Sequence, residues 1–141
     1  MQYVCDAGSK TWFRLETEPE AERESREMEH AVAKYFSQAY QLAVESYVPP
    51  PTVRNFEQKI GLKSHIQRAM PLFLTLRDNS GLALATAMLP PGGRDEQTFR
   101  PIVVGNANSD PYPTHADAIA KLGKHFGLKL DPARSYPYRR G

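Results

Sequence analysis

The chain has 141 residues, a length typical of one domain, and its 18 basic and 16 acidic side chains give a formal net charge of +2. This charge is too small to indicate nucleic-acid binding by itself. The single cysteine excludes a disulfide within these residues and suits a reducing compartment. Residues 1–20 contain no apolar segment like that of a secretory signal, and no run reaches the roughly 18–20 apolar residues of a membrane span. We therefore expect a soluble, cytoplasmic protein with no membrane partner.

Two short strands are predicted at residues 3–5 and 11–15, joined by a turn-rich linker of hairpin length. In the second strand Trp12 and Arg14 face one way and Phe13 and Leu15 the other, which is typical of an antiparallel sheet with one wet face. Because single large aromatic side chains are usually covered, we expect Trp12 to be buried under the helix that follows, with an exposed contact as the alternative.

One long helix is predicted over residues 17–47. Thr17 and Glu20 match a capping box at its start, and the prolines at Pro49–Pro51 must end it. At 1.5 Å per residue it would be about 45 Å long, as long as a compact domain of this size. The first half is largely charged and expected to be solvated or in an intermolecular contact, whereas the second half has a broad apolar stripe suited to the core. The candidate interface residues are Met28, Val32, Tyr35 and Tyr40.

Residues 52–70 fit both helical spacing and strand alternation, and we predict a helical turn near 53–58 followed by a strand near 60–67. Residues 72–77 and 82–89 are predicted to form a hairpin around a turn that ends at Gly81. Alanines in the second strand of this hairpin permit close approach of another element, which we expect to be the long helix. A further short strand is predicted at residues 101–104.

A second helix is predicted at residues 114–126, where Thr114 caps its start and Gly127 ends it, and Leu128 and Leu130 are candidates for a last edge strand. The order of elements predicts a single α+β domain over residues 1–131. Its mostly antiparallel sheet would have five or six strands, with the long helix and the shorter helix packed on one face. Residues 132–141 are predicted to be a basic, aromatic tail.

Common catalytic and nucleotide-binding motifs are absent, so candidate site residues come from local chemistry alone. Asp110, His115 and Asp117 lie at the start of the second helix, where backbone N–H groups favour an anion and a histidine can act as an acid or base. Arg94 follows two glycines in the 90–96 loop, a combination that suits an oxyanion. Ordinary capping and surface-loop roles are the alternative for each residue, and neither metal nor cofactor is predicted.

Two further features have both a chemical and a structural interpretation. Cys5 can be a thiol nucleophile if a histidine lies nearby, or a small buried strand residue. The tail with Tyr136, Tyr138, Arg139 and Arg140 combines rings and guanidinium groups as single-stranded nucleic-acid sites do, or it folds back on the body.

The leading functional prediction is a binding or interaction protein that self-associates as a homo-oligomer through the long helix or a sheet edge. The first alternative is an enzyme or a binder of a small anionic ligand, with its cleft between the 90–96 and 106–117 loops. The second alternative is weak binding of single-stranded nucleic acid through the tail, which the nearly neutral charge disfavours.

Overall fold

One antiparallel sheet organises the part of the chain that the computed structural model describes, which is residues 1–51 and 54–137. Neighbouring strands in the sequence are also neighbours in the sheet, whose order is β1-β2-β3-β4-β5. The strands are β1 (Gln2–Ala7), β2 (Lys10–Arg14), β3 (Leu72–Arg77), β4 (Ala83–Leu89) and β5 (Ile102–Val104). The helices are α1 (Glu18–Met28), α2 (Val32–Glu45), α3 (Asn55–Ala69), α4 (Tyr112–Phe126) and the short α5 (Pro132–Ser135). The predicted α+β class with an antiparallel sheet is confirmed.

The prediction of one helix over residues 17–47 is wrong, because the chain leaves the helical conformation after Met28 and forms two helices. The capping box at its start is present: the Glu20 N–H donates to the Thr17 hydroxyl, and the Glu20 carboxylate accepts the Thr17 N–H. The local start signal was therefore correct, whereas the length of the helix was not.

The break between α1 and α2 is stabilised from within α1. Glu29 adopts a left-handed φ of 53°, and the following N–H of His30 donates back to the Ser25 carbonyl oxygen. The hydroxyl of Ser25 then accepts the N–H of Ala33 at 2.8 Å. Since the first N–H groups of a helix lack intrahelical partners, Ser25 supplies a cap for α2 from the preceding helix.

The prediction of a strand near residues 60–67 is also wrong, because these residues lie in α3. The first position of the helical turn predicted near 53–58 falls outside the described residues. None of the residues of α3 is buried. The helix is attached to the end of α2 through His65, whose Nε2 lies 2.8 Å from the Ser46 hydroxyl and whose ring packs on Tyr47. A helix without a buried stripe has a weak periodicity, which explains why strand alternation fitted equally well.

Helices pack on both faces of the sheet, whereas the sequence predicted helices on one face only. We name the two faces after the helices that cover them. On the α4 face, the Nε1–H of Trp12 donates to the Ala118 carbonyl oxygen at 2.9 Å. Trp12 is therefore buried, but under α4. The alanines of β4 that contact a helix, Ala85 and Ala87, also lie on this face and not against the predicted long helix.

On the α2 face, Phe36 of α2 packs on Phe73 of β3, with ring centroids 5.2 Å apart. Side chains of a strand alternate between faces, so Thr75 and Arg77 share this face with Phe73, and Thr86 opposite Thr75 does so from β4. The buried apolar cluster here consists of Leu15, Ala21, Val32, Phe36, Ala43, Met70 and Phe73.

The C-terminal segment follows its local signals closely. α4 starts at Tyr112, two residues before the predicted start, and ends as predicted at Gly127, whose φ is 74°. The Leu128 N–H donates to the Gly123 carbonyl oxygen at 2.8 Å, and no strand follows within the described residues. In residues 1–51 and 54–137, every helix is too short or too polar to cross a membrane.

Replacing Ser25 by Ala tests the cap that joins the two helices. We expect the free energy of unfolding, measured by urea denaturation, to fall by about 1 kcal/mol because the Ala33 N–H loses its acceptor. Ser37→Ala is the matched control: Ser37 is exposed within α2, where alanine favours the helix by up to about 0.5 kcal/mol. Equal stabilities of the two variants would contradict the capping role.

Candidate functional site

A carboxylate lies buried between α1 and the sheet. Glu24 is 0% exposed, and its Oε1 accepts hydrogen bonds from Arg77 Nη2 at 2.6 Å and from the Thr75 hydroxyl at 3.0 Å. Its Oε2 accepts the hydroxyl of Thr86 at 2.6 Å. Both oxygens are therefore satisfied, as a buried charge requires. On the sequence, Glu24 belongs to the charged first half of the long helix, which is predicted to be solvated or in an intermolecular contact.

Each nitrogen of the Arg77 guanidinium group also has a hydrogen-bond partner. Its Nε donates to the Thr75 hydroxyl at 3.0 Å and its Nη1 donates to the Gly81 carbonyl oxygen at 3.0 Å. A second carboxylate, that of Glu27, lies 3.3 Å from Nη1. The guanidinium group thus connects α1 to β3 and to the turn that follows it.

His30 extends this network from the break between α1 and α2. Its Nε2 lies 2.8 Å from the Thr86 hydroxyl oxygen, and its Nδ1 accepts the N–H of Val32 at 3.4 Å. Because Thr86 donates its only hydroxyl proton to Glu24, His30 must donate from Nε2. Burial lowers the pKa of His30, and the negative charge of Glu24 opposes this effect. The contacts and the burial both favour a neutral imidazole protonated at Nε2.

His30 also lines a cavity of about 250 Å³ between the start of α2 and the β4–β5 edge of the sheet, which we call the His30 cavity. Thr86 and Asn108 are further polar residues of its lining. Its apolar walls include Val32, Phe73, Met88, Ile102 and Val104. The buried Glu24 network is therefore connected through Thr86 and His30 to a mostly apolar hollow.

The backbone beside the His30 cavity adopts left-handed conformations at residues other than glycine. Glu29, with φ 53°, precedes His30, while Ala107 and Asn108 have φ values of 52° and 61°. Each such residue costs roughly 1–2 kcal/mol, which neighbouring contacts must offset. One of those contacts is the hydrogen bond of 2.7 Å from the Tyr136 hydroxyl to the Asn108 carbonyl oxygen. The left-handed residues at the cavity rim therefore destabilise the folded chain locally, and the contacts around them offset this cost.

The predicted cleft between the 90–96 and 106–117 loops does not form. β4 and β5 are antiparallel, so the loops that follow them leave from opposite ends of the sheet. α4 spans the distance between them: His115 near its start lies beside Lys10, whereas Phe126 at its end lies against Gly93. Arg94 and His115 therefore do not share a cleft.

The four predicted ligand residues have separate surroundings. The Asp110 carboxylate accepts the Tyr112 N–H at 3.0 Å, which is a capping contact at the start of α4. His115 accepts a hydrogen bond from Lys10 Nζ at 3.0 Å, and burial followed by the charge of Lys10 lowers the pKa of its imidazole. Arg94 and Asp117 are exposed. Their individual roles in binding stay predictions.

The predicted interface residues divide into two groups. Met28 and Val32 are buried inside the protomer, so they are not available at its surface. Tyr35 and Tyr40 are 52% and 38% exposed. Only the second pair is placed where a partner can reach it.

The remaining candidates are Cys5 and the tail. Burial, and then the charge of Asp6, raise the pKa of the Cys5 thiol, which opposes activation as a nucleophile. The described part of the tail folds back: Arg100 Nε donates to the Arg134 carbonyl oxygen, and Tyr136 binds Asn108. Tyr138, Arg139 and Arg140 lie outside the described residues. Among residues 1–51 and 54–137, no three His, Cys, Asp or Glu side chains converge in a way that can hold a metal ion.

Comparison of the chain with models of protein families, with curated proteins and with solved structures gave no match in any of the three.

The network predicts how stability depends on pH. The pKa of His30 is lower in the folded than in the unfolded chain. The contribution of His30 to the free energy of unfolding is therefore fully present above about pH 6.5, the ordinary histidine pKa, and decreases as the pH drops from there towards the folded pKa. His30→Asn keeps an acceptor for the Val32 N–H but removes the titrating ring. The stability difference between wild type and variant should therefore shrink on acidification, measured by urea denaturation from about pH 7.5 to 5.5. A difference that stays constant over this range would show that His30 titrates alike in both states.

Proposed function

We propose that the protein binds a small, uncharged molecule in the His30 cavity, one with an apolar body and a hydroxyl or N–H donor. The observation that carries this proposal is a neutral histidine, fixed by the buried Glu24 network, on the wall of a mostly apolar cavity. Pockets that combine apolar walls with a few placed polar groups are the usual form of small-molecule sites.

The size of the cavity limits the ligand. Apolar protein cavities of about 150 Å³ hold a benzene ring. The His30 cavity, at about 250 Å³, therefore has room for a ring with one or two substituents.

Hydrogen-bonding capacity indicates the polarity of the ligand. The hydroxyl oxygen of Thr86 has already used its proton on Glu24 and accepts the Nε2–H of His30, so it retains one lone pair. This lone pair can accept a donor from a ligand. A ligand carboxylate is disfavoured because the Glu24 carboxylate lies directly behind Thr86. Asn108 supplies an amide that can serve in either direction.

Phenol, toluene and benzoate form a matched set of probes for this proposal. In titrations followed by backbone-amide NMR, phenol should bind more tightly than toluene, and benzoate should not bind at neutral pH. Ile102→Trp, which fills the cavity, should abolish the binding of both phenol and toluene, whereas Leu82→Trp at an exposed turn position should not. Thr86→Val should reduce the affinity for phenol to that for toluene. Thr86→Ser, which keeps the hydroxyl group, should bind phenol as the wild type does.

Two results would contradict the proposed site. Benzoate binding as tightly as phenol would contradict the proposed preference for an uncharged ligand. Unchanged phenol binding by the Ile102→Trp variant would show that phenol binds outside the His30 cavity. Because the second result does not depend on Thr86, it remains informative if Thr86→Val is too unstable to study.

Self-association is the second function that we propose, through the outer surface of α2 and α3. Phe56 and Ile60 of α3 are 73% and 53% exposed, and Leu42 of α2 is 66% exposed. The competing surface is the open edge at β1, where a bulge between Tyr3 and Cys5 disturbs regular pairing. The exposed side chains therefore favour the helices over the sheet edge.

Sedimentation velocity distinguishes these two surfaces. We expect a dimer at high micromolar concentration that Phe56→Glu converts to monomer, because a charge replaces an apolar contact. Tyr3→Glu on β1, where the wild-type side chain is also exposed (58%), serves as the control and should leave the dimer intact. A monomeric wild type at this concentration would exclude self-association, and loss of the dimer in Tyr3→Glu alone would assign it to the sheet edge.

A further inference from the structure

A second hollow lies on the other side of α2, between α3 and the connection from β2 to α1. This groove, which we call the α3 groove, has a volume of about 660 Å³. α3 has no fully buried residue, and only Ile66 and Ala69 of this helix pack against the buried cluster of the α2 face. Its bottom reaches the buried side chains of Leu15, Phe36 and Met70, and its walls include the partly buried Leu62 and Ile66 of α3.

Three cationic side chains, Arg14, Lys59 and Lys63, line the α3 groove. Arg14 Nη2 donates to the Gln67 carbonyl oxygen at 3.2 Å. Within the described ranges of the chain, none of the three has a carboxylate oxygen within the 4.0 Å of an ion pair. Burial lowers the pKa of the Arg14 guanidinium, while the charge of Glu16 opposes this. Arg14 is thus partly buried without a direct counter-ion, whereas Lys59 and Lys63 are exposed.

Two carboxylates also line the groove, but each has partners of its own. Glu20 accepts the backbone N–H groups of Glu16 and Thr17 at 2.9 and 3.1 Å as part of the α1 cap. Both Glu16 and Glu20 form ion pairs with the amino group of Met1. The charge available to a ligand is therefore positive and comes from the β2 and α3 sides.

We infer that the α3 groove binds an amphipathic anion, an alkyl or aryl chain that ends in a carboxylate. The chain would lie over the apolar floor, and the carboxylate would meet Lys59, Lys63 and Arg14. A volume of about 660 Å³ is within the range of roughly 300–1,000 Å³ that holds drug-sized ligands. Lysine and arginine keep their charge at all physiological pH values, so binding at this site should not depend on pH above the pKa of the ligand.

This site is separate from the His30 cavity, and the inference does not rest on the function proposed for that cavity. Phe36 borders the groove, Phe73 borders the cavity, and the two rings pack on each other under α2. The two hollows also have opposite preferences: the cavity disfavours a carboxylate, and the groove favours one.

Isothermal titration calorimetry with dodecanoate, 1-dodecanol and dodecylamine, all below their aggregation limits, tests the inference. Dodecanoate should bind at least about tenfold more tightly than the alcohol, since a charge-assisted contact is typically worth that factor. Dodecylamine should not bind. Octanoate should bind more weakly than dodecanoate, because it covers less of the apolar floor.

The double variant Lys59→Gln/Lys63→Gln should weaken dodecanoate binding several-fold towards the level of the alcohol, while Arg14 keeps part of the preference for the carboxylate. Lys121→Gln/Lys124→Gln, on exposed positions of α4, makes the same change in net charge and should leave the affinity unchanged. Ile102→Trp should also leave dodecanoate binding unchanged, since it fills only the His30 cavity.

Three results would overturn the inference. Equal affinities for dodecanoate and dodecanol would show that the cations make no contact with the ligand. An equal loss in the two lysine variants would show only a dependence on net charge. Loss of dodecanoate binding in Ile102→Trp would move the ligand to the other side of α2. Circular dichroism and melting curves confirm that each variant is folded before its affinity is compared.

Discussion

The carboxylate of Glu24 determines the arrangement of the α2 face of the sheet. Its removal from water is tolerable only because three side chains donate to it, Thr75 and Arg77 of β3 and Thr86 of β4. His30 in turn bonds to Thr86. α1 therefore has one position on the sheet in which the charge is paired. The break that follows α1, the direction of α2 and the position of His30 all depend on that placement. A purely apolar contact at this point would allow α1 to slide or rotate, whereas hydrogen bonds at fixed distances do not.

α2 separates two hollows of different chemistry on one face of the molecule. The aromatic contact between Phe36 and Phe73 lies beneath it, with Phe36 bordering the α3 groove and Phe73 bordering the His30 cavity. The two hollows therefore share a wall.

Features of the fold that depend on residues close in sequence could be predicted. The hairpin turn at Gly81 and the end of α4 at Gly127 are examples, because each depends on hydrogen bonds over a few positions. The break in the predicted long helix could not be predicted from the sequence, because the apolar spacing continues through it. The hydrogen bond from the Ala33 N–H to the Ser25 hydroxyl, which caps α2, is visible only in three dimensions. For the candidate site, Glu24 lies at helical spacing between two buried residues of α1, which is a usable signal for an inward-facing charge. Its partners on β3 and β4 are 51 to 62 positions away, and no local pattern relates them to it.

The order of the sheet has a consequence for how the molecule folds. β1 and β2 are joined by two residues and β3 and β4 by five, and β5 follows β4 after twelve, so each group can form from neighbouring segments of chain. Pairing β2 with β3 instead requires closure of a loop that contains three helices, which is the slow kind of step in folding. α1 belongs to that loop, and the partners of Glu24 lie on β3 and β4. Docking α1 on these strands therefore shortens the loop that β2 must close to reach β3, so burial of Glu24 and pairing of β2 with β3 favour each other.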